Sequence, residues 1–128
     1  MAYTYDDQNI FAKILRGEIP NRTVMETEHS LAFEDIAPQA PRHVLVIPKG
    51  PYVTFDHFAA EASEAEIADY VRTIGRVARQ LGVTPDDGAG YRILSNAGPD
   101  GHQEVPHLHV HLFAGAFLGR MIKVPEAG

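Results

Sequence analysis

The run Gln103-Glu104-Val105-Pro106-His107-Leu108-His109-Val110-His111-Leu112-Phe113 constrains the fold of this chain more than any other stretch. Successive side chains of an extended strand point to opposite faces. A strand over residues 107–113 therefore carries His107, His109 and His111 on one face and Leu108, Val110 and Leu112 on the other. The aliphatic face requires a core, and the imidazoles line whatever lies opposite.

The remaining pattern supplies that core. Ile10, Phe11, Ile14 and Leu15 recur at helical spacing, and Gly17 and Pro20 end the segment. Strands are predicted over residues 22–28, 31–34, 43–47 and 91–95. Residues 35–42, holding Pro38 and Pro41, form a loop. Ser63 and Glu66 make a capping box. After it Ile67, Tyr70, Val71, Ile74, Val77, Ala78 and Leu81 keep one helix face apolar until Gly82. Residues 96–104 form a polar loop. Five short strands with one short and one long helix, joined mostly by connections too short for parallel crossovers, predict an antiparallel α+β domain. One domain spans residues 1–128, with its core at about 8–114 and a patternless tail at 115–128.

Composition narrows the partners. Eleven basic against seventeen acidic residues leave a net charge of −6, which disfavours nucleic acid. A phosphate site must then be built from local donors. The chain has no cysteine, so thiolate metal sites and disulfides are excluded. Met1 to Asn9 has no apolar core of a signal peptide, and no apolar run approaches the ~20 residues of a membrane span. A cytoplasmic protein is expected.

Three readings of the histidine face compete. It is a solvated polar face, a metal site, or a centre of covalent catalysis. His107 and His111 lie ~13 Å apart along a straight strand, whereas ligands of one zinc lie within ~4 Å of each other. A metal would thus need a ligand from elsewhere, such as His43 or Glu104. Imidazole is also nucleophilic near neutral pH. Attack on phosphorus requires one bare ring nitrogen and a fixed acceptor for the proton on the other. A neighbouring histidine can protonate the leaving group, and amides of residues 96–104 can cradle phosphate oxygens.

The run His107-Leu108-His109-Val110-His111-Leu112-Phe113 resembles the His-φ-His-φ-His-φ-φ signature of the histidine-triad (HIT) superfamily, where φ is hydrophobic. Residues 9–20 resemble the opening helix of its Hint branch, in a bacterial form, and residues 31–48 resemble its central block. The resemblance implies a purine nucleoside phosphoramidase or nucleotidyl hydrolase working through a covalent nucleotidyl-histidine intermediate. It implies homodimers with a continuous ten-stranded sheet, no cofactor and no essential metal. The nucleophile falls on His109 and the leaving-group contact on His111. His43 supports the nucleophile and His107 orients. Asp35 falls on the ribose position, and Ile10, Phe11, Ile14, Phe33, Ile36 and Leu45 line the base slot. Asn96, Gln103 and the backbone of Glu104 and Val105 form the phosphate-side loop.

Two departures stand out. Position 102 is His where relatives commonly have Gly, which suggests an altered loop, and position 104 is Glu rather than Ser. The tail also differs, which leaves substrate preference open. Without the triad these residues have plainer roles. His43 would be a structural histidine, Asp35 a turn acid, Asn96 an Asx-turn residue, and the apolar positions core. His29, His57 and His102 are assigned to surface or loop. Runner-up functions are a dinucleoside-polyphosphate hydrolase, a nucleotide-binding scaffold with little turnover, and a metal-dependent hydrolase.

Overall fold

The computed structural model describes residues 3–125. The two ends of the 1–128 domain, namely residues 1–2 and the last three residues of the tail, lie outside them. The elements are α1 (Ile10–Leu15), β1 (Thr23–Glu26), β2 (Ser30–Glu34), β3 (Arg42–Pro48), α2 (Phe55–Glu61), α3 (Glu64–Gln80), β4 (Tyr91–Ser95) and β5 (Val110–Ala114). The five strands form one antiparallel sheet in the order β1-β2-β3-β5-β4.

Register explains how the sheet is buried. Ala32 pairs with Val46, Val46 with Val110, and Val44 with Leu112. These side chains share a face and meet Phe58, Tyr70, Val77, Ala78 and Leu108 in the larger core. Helix α3 seals that face, and the Tyr70 hydroxyl donates to the Val46 carbonyl at 2.7 Å. The intervening residues Leu31, Phe33, Leu45 and Ile47 pack on the opposite face with Phe11 and Ile14 of α1. Six residues of helix cannot cover a five-stranded sheet, so this face is only partly roofed. The histidines occupy the uncovered part.

Local signals account for the helices. Asn9 caps α1 by accepting from the Ala12 amide, and Gly17 follows with φ +79°. In α3 both halves of the Ser63–Glu66 capping box form. Asp69 on α3 accepts from the Thr27 and Ser30 hydroxyls, which ties the β1–β2 turn to the helix.

Three expectations change. Helix α2 was not predicted. Thr54 caps it through the His57 amide, but only His57 and Phe58 are buried, too few to make a helical stripe. Val71 leaves the apolar face of α3 and is 62% exposed. The last strand begins at Val110 rather than His107. Ahead of it the His107 amide bonds the Val105 carbonyl in a tight bend, the Leu108 amide bonds the Tyr52 carbonyl, and the Ser95 hydroxyl donates to the His109 carbonyl, so residues 107–109 lie outside the ladder. Among the described residues no helix is long and apolar enough to cross a membrane.

Ser63 contributes one of the two reciprocal bonds that start α3. Ser63→Ala should lower unfolding free energy by about 1 kcal/mol in urea melts, with an unchanged m-value.

Candidate active site

His107, His109 and His111 do share a face, though only His111 belongs to a strand. Each ring is fixed by a different partner. His109 Nδ1 lies 2.7 Å from the His107 carbonyl. A carbonyl only accepts, so Nδ1 carries the proton and Nε2 is bare. The acceptor that the sequence reading required is therefore the backbone two residues upstream. Phe11 meets the His109 ring edge-on at 5.0 Å and limits its rotation.

The same logic assigns the other rings. His107 Nε2–H donates to the Pro48 carbonyl at 2.8 Å, and its Nδ1 accepts from the Tyr5 hydroxyl at 2.6 Å. The Gln39 amide donates to His43 Nδ1 at 3.1 Å, so His43 carries its proton on Nε2. That proton is given to His111 Nδ1 at 2.9 Å, which leaves the His111 proton on Nε2. The cluster thus offers a bare nitrogen on His109 and an N–H donor on His111, with ring centroids 5.0 Å apart. His43 bonds His111 rather than His109.

Burial drives the electrostatics. It lowers the pKa of His107 from 6.5 to about 4, and the neighbouring His109 adds to the effect. His111 is also pushed down to about 4, by burial and then by His109 and His43. His109 and His43 are lowered by burial too, countered at His109 by the bond to the His107 carbonyl and then by Asp35 and Glu104, and at His43 by Asp35. All four rings are neutral at neutral pH, as the hydrogen-bond assignments require.

The remaining predicted residues divide. Phe11, Ile14, Phe33 and Leu45 form one buried cluster beside the histidines, joined at its edge by Val105. Ile10 and Ile36 stay outside it, and Ile36 is 92% exposed. Ile36 instead lines a cavity of about 290 Å³ with Asp35, His43, Pro38, Pro41 and Arg22. Asp35 has the turn role considered for it and also approaches the histidines. Its Oδ1 accepts from the Ala37 amide in a turn, and its Oδ2 lies 3.5 Å from His43 Nε2.

In the 96–104 loop, Asn96 donates to the Gly101 carbonyl. Gln103 accepts from the Gly98 amide and donates to the Val53 and Val105 carbonyls. The Gly98, His102 and Gln103 amides are thus spent inside the loop. His102 has φ +59°, the left-handed region glycine favours, so a non-glycine residue sits there at a cost in strain. Glu104 pairs with His102 at the surface, 2.8 Å away, and its charge opposes the burial effect on His109.

Sequence reasoning missed several contributors. Phe113 stacks on His111 at 5.5 Å and meets His43 at 4.3 Å. The period-two pattern, extended one step, places it on the histidine face. His57, assigned to the surface, is buried, and its Nδ1 accepts from the Val53 amide. That assignment failed because α2 was not foreseen. The Gln39 amide and Pro48 carbonyl are backbone groups with no side-chain signal. As a metal site, the structure brings together Asp35, His43 and His111, with ligand atoms within 4.8 Å of one another. An ion there would have to displace the His43–His111 hydrogen bond.

The buried neutral rings make stability depend on pH. Between pH ~6.5 and about 4 the unfolded chain binds more protons than the folded one, so stability is full above pH 6.5 and falls as pH drops through this window. For His107 alone, 1% exposed, the fall from 6.5 to about 4 is worth on the order of 3 kcal/mol. Urea midpoints at pH 7.5 and pH 4.5 should show the loss, and a His107→Asn variant should show less of it.

Comparison with known proteins places this geometry. The family model described as HIT domain matches residues 16–118. An uncharacterised 13.2 kDa HIT-like protein of Azospirillum brasilense is 63% identical, over 95% of this chain and 98% of that protein. A purine nucleoside phosphoramidase of Escherichia coli is 39% identical, over 91% of this chain and 94% of its own length. The solved structure of a HIT family hydrolase from Legionella pneumophila superposes with a TM-score of 0.73 at 36% identity, covering 85% of this chain and 94% of that one. The alternating histidines, the five-stranded sheet and these matches agree that the chain belongs to the histidine-triad (HIT) family.

Proposed function

We propose that this protein hydrolyses purine nucleotide conjugates, nucleoside phosphoramidates foremost, with His109 as the nucleophile. The observation that carries the reading is the 2.7 Å bond from His109 Nδ1–H to the His107 carbonyl, which leaves Nε2 bare. The name of the E. coli relative, purine nucleoside phosphoramidase, supports the substrate class.

The base lies against Phe11, Ile14, Phe33 and Leu45, and the Asp35 carboxylate takes the ribose hydroxyls. The Glu104 and Val105 amides, which have no hydrogen-bond partner among the described residues, face the phosphate oxygens. Asn96 and Gln103 hold their loop in shape. His109 Nε2 attacks the α-phosphorus, forming a P–N bond as the bond to the leaving amine breaks. The amine takes the electron pair and a proton, with His111 Nε2–H as the nearest ring donor. Water then attacks the phosphorus, returning a proton to the bare His111 Nε2, the P–N bond to His109 breaks with its electron pair going back to Nε2, and the nucleoside monophosphate leaves. No metal or other cofactor enters these steps, and a cytoplasmic setting suits the substrate.

A second copy of the chain completes the reading. Strand β4 is a sheet edge whose Tyr91, Ile93 and Leu94 are exposed, and edge-to-edge pairing there extends the sheet to ten strands. Light scattering should give the mass of a homodimer, and a monomer at micromolar concentration would overturn this part.

His109→Ala should abolish nucleotidyl-enzyme formation and lower turnover of adenosine 5′-phosphoramidate by at least about 10³-fold, without change on chelation. An undiminished single-turnover burst in the variant would sink the assignment. Tight monophosphate binding with no hydrolysis by the unmodified chain would favour a binding protein instead.

A further inference from the structure

The segment ahead of α1 reaches the back of the histidine cluster. We propose that Tyr5 is a positioning residue of this site, its hydroxyl holding the His107 ring and, through residue 107, the carbonyl that fixes the tautomer and orientation of His109. The inference rests on the reading of His109 as the nucleophile.

The geometry forms an unbroken chain. The Tyr5 hydroxyl donates to His107 Nδ1 at 2.6 Å, and the two rings meet edge-on with centroids 5.6 Å apart. Burial raises the Tyr5 phenol above its ordinary pKa of 10, so it keeps its proton and remains a donor at neutral pH. The other His107 nitrogen is spent on the Pro48 carbonyl at 2.8 Å. His107 is 1% exposed, so solvent does not reach Nδ1 when Tyr5 is in place. The His107 carbonyl in turn accepts the His109 Nδ1 proton at 2.7 Å.

Four contacts therefore hold residue 107: its amide to the Val105 carbonyl, its two ring bonds, and its carbonyl to His109. Of these partners only Tyr5 comes from outside the sheet and its loops. Removing the hydroxyl leaves a buried acceptor unpaired, a state avoided by rotating the ring or admitting water. Either response loosens the carbonyl that His109 depends on. The base, ribose and phosphate contacts are untouched, so the effect falls on the chemical step rather than on binding.

The test is Tyr5→Phe, which keeps the ring and its packing. Tyr3→Phe serves as control, because Tyr3 lies on the same segment but donates to Asp56 and stacks on His57, away from His109. In Tyr5→Phe, kcat on adenosine 5′-phosphoramidate should fall about tenfold, the scale seen when an outer partner of a reactive imidazole is lost. KM should stay within about twofold, and Tyr3→Phe should retain full kcat. ¹⁵N spectra of the imidazoles should show His109 losing its single Nδ1–H tautomer in Tyr5→Phe. A lower Tm with unchanged kcat and an unchanged His109 tautomer would reduce Tyr5 to a structural clip and overturn the proposal. If His109→Ala proved fully active, the nucleophile reading would fall, while the tautomer spectra would still decide whether Tyr5 positions His109.

Discussion

The structure turns on a sheet whose central strands are apolar on both faces but have a long helix for only one of them. Helix α3 and its capped start seal Ala32, Val44, Val46, Val110 and Leu112. The other face has only the six residues of α1, which cover Phe33, Leu45 and Ile47. The shortfall of cover beside this second cluster is where the histidines sit. The site is thus what an unequal division of helix between two sheet faces leaves behind, floored by a rigid sheet and walled by Phe11.

Within that space the imidazoles are ordered by backbone groups more than by each other. The Gln39 amide, the Pro48 carbonyl and the His107 carbonyl each fix one ring nitrogen. With every ring neutral through burial, a donor on one nitrogen forces the proton onto the other. A bare Nε2 on His109 and a proton-bearing Nε2 on His111 follow from that propagation without any charged residue in direct contact with His109. The Asp35 carboxylate lies at His43, two rings away from His109.

Around this centre the peripheral segments act as clamps. The 96–104 loop spends Gln103 on its own amides and on the Val53 carbonyl, while the Val53 amide is held by His57. The 96–104 loop and α2 are therefore tied through one residue, Val53. His102 accepts left-handed backbone to keep that loop closed.

Much of this was legible in the chain. Alternation over residues 107–113 set the two faces, the Ser63–Glu66 box set the start of α3, and Gly17 and Gly82 marked helix ends, because these signals are local and act within a few residues. The resemblance to the histidine-triad family also named His43, His109 and His111, which the fold brings together, and Ile10 and Ile36, which it leaves outside the buried cluster. Contacts between distant segments were not legible. The late start of β5 follows from the bond of Leu108 to Tyr52, the burial of His57 from α2, and the exposure of Ile36 from the shape of the 35–42 loop. Which nitrogen of each imidazole carries its proton was decided by the Gln39 amide, the Pro48 and His107 carbonyls, the His43 ring and Tyr5. The sequence by itself determined which side chains share a face, since periodicity is a property of the local backbone. Only the tertiary structure decided what each of them bonds, because backbone donors and acceptors are the same in every residue and acquire partners only when the chain is folded.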